Sequence, residues 1–196
     1  MVKRYGCLLL LAMSCSSEDP ITELVLSADS DLRLDRIVFE VSAQGVPARS
    51  AQATRPAKGP SYVSIVRDQG TLGPLTVVAR GMFQNAELLR RTHVVSFTEN
   101  ESLVVPLDLY ARCINAKCQS NQTCAENGCT PIKLDRLEPW TGDPPAPFAG
   151  RDGGTPQFAA CGQVVTDLTS DARHCGDCAR SCTGAENCVA GTCVRK

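Results

Sequence analysis

The sequence has no apolar run long enough to cross a bilayer as a helix, which takes ~20 residues. Its longest N-terminal run, Cys7 to Met13, spans seven. It has no excess of charge either. Twenty Lys and Arg against 21 Asp and Glu leave a net charge of −1 with the signs interspersed, which excludes a nucleic-acid binder, a class that needs a basic footprint. Only two histidines occur, His93 and His174, and no G-x-S-x-G, so a hydrolytic triad lacks support. Helical periodicity is missing throughout. Cysteine is missing between Ser16 and Arg112, although the chain has twelve in all.

What is present begins with MVKRYGCLLLLAMSCSSED. Two bases, a short apolar stretch and a sharp polar break predict a secretory signal peptide over residues 1–14. Ala12-Met13-Ser14 before Cys15 resembles a bacterial lipobox, in which the cysteine thiol is acylated and becomes the new N-terminus. The same residues also fit an ordinary A-x-S cleavage site. Parity favours lipidation of Cys15. Cleavage removes Cys7, and acylation of Cys15 then leaves ten cysteines, an even set, whereas an odd thiol in an exported protein needs explaining. Residues 15–21 then form a lipid-anchored tether. Acyl chains such as palmitate contribute ~0.8 kcal/mol per buried methylene. Export makes disulfides the expected state of the other cysteines.

Residues 22–111 predict β structure. Ile37, Phe39 and Val41 alternate with Val38, Glu40 and Ser42, the period-2 sign of a half-buried strand. Further candidate strands are 22–28, 61–66, 75–83, 88–97 and 102–109. Turns are expected at 84–86 and 98–101, and Pro106 marks an edge. Short strands at close spacing predict an all-β fold, a small antiparallel β-sandwich of immunoglobulin-like type. Residues 45–60, rich in Pro, Ala, Arg and Ser, predict a loop; Arg49, Arg55 and Lys58 in it read as solvated charges rather than an anion contact. Half of the twelve prolines fall between 130 and 160, so 131–160 predicts a semi-rigid linker, with Trp140 and Phe148 packing locally or docking on a neighbour.

The cysteines form two groups. Cys113, Cys118, Cys124 and Cys129 make a four-Cys module over 112–130. Cys161, Cys175, Cys178, Cys182, Cys188 and Cys193 make a six-Cys module over 161–194. Both contain C-x5-C-x4-C with a late glycine, Gly128 or Gly191. Segments this poor in aliphatic residues cannot bury enough surface to fold unaided. Cross-links restrict their unfolded states instead, at ~2–4 kcal/mol each. Four cysteines allow 3 pairings and six allow 15, and spacing does not choose among them.

In the second module, a cysteine is followed by Asp167-Leu168, then by Asp171-x3-Cys175-Gly176-x-Cys178, then by C-x5-C-x4-C with Gly191. This segment resembles the stigma-specific-protein-like Cys-rich repeat, departing at Ala179, where the repeat more often has Gly. The resemblance covers about 34 residues. It implies a surface-exposed module of the kind carried by exported bacterial lipoproteins behind a β domain and a linker, and it implies no catalytic activity.

Cys175-Gly176-Asp177-Cys178 is a C-x-x-C, but a redox dithiol needs a βαβ context that is absent here. Zinc needs two close ligand pairs, and only one occurs. Asp29, Asp31 and Asp35 resemble part of a calcium loop but lack its glycine and closing glutamate, so they read as an acidic turn. His93 reads as a strand-face residue. No catalytic residue, metal ligand or cofactor is assigned. The expected protein is a non-enzymatic lipoprotein, exported to the outer membrane or cell surface. It would present its modules for adhesion, binding or structural roles to a surface protein or glycan, its oligomeric state left open. Alternatives are an exported thiol-redox or other enzyme using the C-x-x-C, and a soluble secreted ligand or inhibitor released after Ser14.

Overall fold

The computed structural model describes residues 21–54, 59–68, 70–143, 157–162 and 164–196. The signal-peptide segment, Cys15, Arg55, Lys58 and Phe148 lie outside the described residues. Strands run in the order β1 (Glu23–Ala28), β2 (Arg36–Ala43), β3 (Val46–Thr54), β4 (Ser61–Val66), β5 (Leu75–Phe83), β6 (Ala86–Val95) and β7 (Ser102–Pro106). They continue as β8 (Gln122–Ala125), β9 (Gly128–Pro131), β10 (Glu138–Pro139), β11 (Phe158–Cys161), β12 (Val164–Asp167), β13 (Glu186–Val189) and β14 (Thr192–Arg195). Among the described residues, the only helical element is a 3-10 turn at Ala111–Cys113.

Two four-stranded sheets, ordered β10-β7-β1-β4 and β3-β2-β5-β6, make a sandwich. Alternation along the strands fills its interior. Leu24 and Leu26 of β1, Ile37 and Phe39 of β2, Val77 of β5 and Val105 of β7 are all but inaccessible. Each such side chain contributes roughly 1.5–3 kcal/mol on burial. The β5–β6 hairpin turns on Gln84 and Asn85, both at positive φ, as a two-residue connection between twisted strands requires.

The all-β sandwich agrees with the expectation from alternation, but its pairing is not antiparallel throughout. β1 runs parallel to β7, with Leu24 opposite Leu103 and Leu26 opposite Val105. The parallel ladder continues through Leu107 N–H to Ser27 O and Leu109 N–H to Asp29 O, both 2.7 Å. This order also differs from the immunoglobulin constant-type order, in which strands A, B, E and D share one sheet. Here the second and fifth strands lie in the sheet opposite the first and fourth.

Two segments expected to be irregular are in register with the sheets. Residues 46–54 form β3, an edge strand paired along β2. The start of the Pro-rich segment is docked as a strap. Val94 N–H donates to Ile132 O (2.8 Å) and Leu134 N–H to Val94 O (3.1 Å) at the edge of β6. Glu138 and Pro139 then pair with Val104 and Leu103 of β7. Leu134 and Leu137 pack against the core between these two edges. The strap thereby covers β7, so Pro106 is not on an outermost strand. On the opposite side, β3 and β4 leave a slot of about 290 Å³ lined by Phe39, Val41, Val63 and Ile65 among others.

Each Cys-rich module is built on a hairpin, β8–β9 in the first and β13–β14 in the second, the latter joined by the β11–β12 hairpin. The six-Cys module meets the sandwich through Phe158, which packs on the core, through Arg33 N–H to Phe158 O (2.8 Å), and through an Arg33–Asp177 ion pair (2.7 Å).

Candidate functional site

All ten cysteines of the two modules are paired. The bridges are Cys113–Cys124, Cys118–Cys129, Cys161–Cys178, Cys175–Cys188 and Cys182–Cys193. In each hairpin, two cysteines face each other across the strands without bonding: Cys124 opposite Cys129, and Cys188 opposite Cys193. Each reaches back to a cysteine of the preceding loop. The repeated C-x5-C-x4-C therefore has one connectivity in both modules, and Cys161–Cys178 is the addition specific to the second. Cys175 and Cys178 belong to different bridges, so the C-x-x-C holds no dithiol. The sulfurs of Cys175, Cys182 and Cys193 lie within 4.8 Å of one another, but each is in a disulfide and offers no thiolate, the form that ligates zinc.

Three aspartates of the six-Cys module shape the backbone. Asp167 Oδ1 accepts from Thr169 N–H (2.8 Å) and Oγ1 (2.6 Å). Asp171 Oδ1 accepts from Arg173 N–H (2.7 Å), and Asp177 Oδ1 from Ala179 N–H (3.0 Å). These bonds favour the charged carboxylates and hold all three below their usual range, more than offsetting burial at Asp167. Leu168 is completely buried.

The aspartates of the 29–35 turn serve as backbone acceptors. Asp29 Oδ1 accepts from Ser30 N–H (2.8 Å), Asp31 Oδ1 from Ala111 N–H (2.7 Å) and Asp35 Oδ2 from Gln84 N–H (2.6 Å). His93 is buried in β6, where its Nδ1 meets Ile132 O (3.1 Å) and its Nε2 meets Arg91 Nε–H (3.1 Å). Arginine can only donate, so Nε2 is the acceptor and the proton sits on Nδ1. Burial, and then the charge of Arg91, push the His93 pKa down to about 4.

A concavity lies on the outer face of the β10-β7-β1-β4 sheet, between that sheet and the strap. It is a groove of about 730 Å³, within the ~300–1,000 Å³ common for ligand sites. Trp140, fixed by its N–H to Ser102 O (2.7 Å), turns its ring toward Tyr62, with centroids 6.1 Å apart. Val25 and Ser27 point to this outer face yet are only 2% exposed. Val104, Pro106, Leu134, Leu137 and Trp140 supply apolar lining. Carboxylates come from Asp29, Asp108, Glu126, Glu138 and Asp143, with Arg136 the one basic side chain.

Burial pushes the Asp108 carboxyl above its usual range, against the opposing pull of the Asp29 N–H (3.0 Å) and the Arg91 charge. Tyr110, at the same end, is raised by burial and then by Asp108. Sequence alone singled out Asp29, Pro106 and Trp140 of this groove. The others come from separate stretches of chain and share no local pattern.

No protein-family model matches the chain, and no curated protein matches it.

Proposed function

We propose that the chain is a non-enzymatic, exported surface lipoprotein whose β-sandwich recognises a partner through the groove beside Trp140, flanked by the two disulfide-rigidified Cys-rich modules. The observation that carries this reading is the groove itself: it is ligand-sized, and it joins an aromatic ring to polar groups on a sandwich flanked by modules that hold five disulfides. Bridges in such number belong to a protein made for an oxidising compartment. The basic, apolar and small-residue order before Cys15 supports a lipid anchor, and the resemblance of 161–194 to stigma-specific-protein-like repeats supports surface display.

The test is made on cells expressing the full chain. Mass spectrometry of the mature N-terminus should find an acylated Cys15. Cys15→Ser should move the protein from the membrane fraction to the medium or periplasm with its disulfides intact. An unmodified Cys15 thiol, or equal membrane retention of the variant, would overturn the anchor.

A further inference from the structure

We propose that the groove selects a cationic partner, an extended peptide segment in which Lys or Arg alternates with apolar residues. The inference rests on the groove being the recognition site. Its first support is charge complementarity. The whole chain is nearly neutral, whereas the groove exposes three carboxylates, Glu126, Glu138 and Asp143, against the exposed Arg136; Asp29 and Asp108 are engaged within the fold, the latter beside Arg91.

The second support is how those carboxylates are spread. Glu126 comes from the β8–β9 turn, and Glu138 and Asp143 come from the strap, all three exposed. Among the described residues, no three carboxylates bring oxygens within 4.8 Å of one another. They therefore do not form a cage for one metal ion; they suit several positive charges at intervals along a chain. Between them, the aliphatic lining and the Trp140 ring fit the methylene stems of Lys and Arg, and the ring face attracts their cationic heads. An anionic ligand finds little here. Pro60, Pro106 and Pro139 line the groove, and proline has no N–H to donate.

Trp140 is the only tryptophan of the chain, so its fluorescence reads the groove directly. The disulfide-intact protein is titrated with a hexapeptide of alternating Lys and Leu, the same peptide with Glu for Lys, and a neutral hexasaccharide, with calorimetry in parallel. The Lys peptide should bind and perturb Trp140. Its affinity should fall by about tenfold or more in E138Q/D143N, which alters two exposed rim groups, and likewise on raising salt from about 50 to 500 mM, as expected of screened pairs. The Glu peptide should not bind. Lys-peptide binding indifferent to both salt and E138Q/D143N would overturn the proposal. If the hexasaccharide binds at Trp140 and the Lys peptide does not, the cationic assignment falls and the groove as a recognition site stands. If none of the three perturbs Trp140 or gives heat, both fall.

Discussion

Gly176 and Gly191 are in direct contact, so close that a Cβ on Gly176 would strike the carbonyl oxygen of Gly191. Gly176 also sits at φ +78°, where an L side chain costs roughly 1–2 kcal/mol. The contact joins the C-x-x-C loop to the β13–β14 turn, and Gly176 N–H donates to Leu168 O (2.8 Å) beneath it. Gly176→Ala should therefore loosen the six-Cys module by about 2 kcal/mol or more. Hydrogen exchange should speed up in 186–195 and stay unchanged in the sandwich strands.

The same turn offers the opposite change. Ala190 sits at φ 49°, a conformation for which glycine and asparagine are better suited than alanine. Ala190→Gly should stabilise the module by about 1 kcal/mol, seen as slower exchange in β13 and β14. No change would mean that this turn carries no strain.

His93 makes the sandwich sensitive to mild acid. Its folded pKa of about 4 lies below the ordinary 6.5, so between these values the unfolded chain binds the proton more tightly. Stability should fall as pH drops through this window, by roughly 3 kcal/mol once both states are protonated. Asp108 works the other way: its raised carboxyl pKa adds stability below the unfolded value, lost as pH rises through the folded one. The lowered Asp167, Asp171 and Asp177 start from 3.8, so their losses lie at lower pH. Urea unfolding from pH 7 to pH 4 should show the decline, and His93→Asn should flatten it. An unflattened curve would assign the loss elsewhere.

The strap holds the groove through Leu134 and Leu137. Leu137→Ala, at a half-buried site, should cost about 1–2 kcal/mol. Trp140 emission should move to the red before global unfolding. Coincident transitions would mean that strap and sandwich unfold as one unit.

Six sandwich strands were legible because apolar and polar residues alternate strongly in them. β3 was not: Ala48, Ser50, Gln52 and their neighbours differ little in polarity, and Pro47 disfavours a strand. Its structure comes from pairing with β2, which local sequence does not display. The same holds for β10, two residues ordered by β7, and for the parallel β1–β7 ladder, a contact between strands 79 residues apart at Glu23 and Ser102. The cysteine modules were legible as modules and their shared spacing as a repeat. Their connectivity was not, because spacing leaves many pairings open. The groove was hidden for a similar reason: its carboxylates converge only after the strap docks.

Non-reducing peptide mapping of the exported protein tests most directly that the C-x-x-C is scaffold and not chemistry. Cys161–Cys178 and Cys175–Cys188 should appear as separate bridges, with no free thiol among the ten module cysteines. A Cys175–Cys178 bridge, or free thiols at both positions in the native protein, would contradict it.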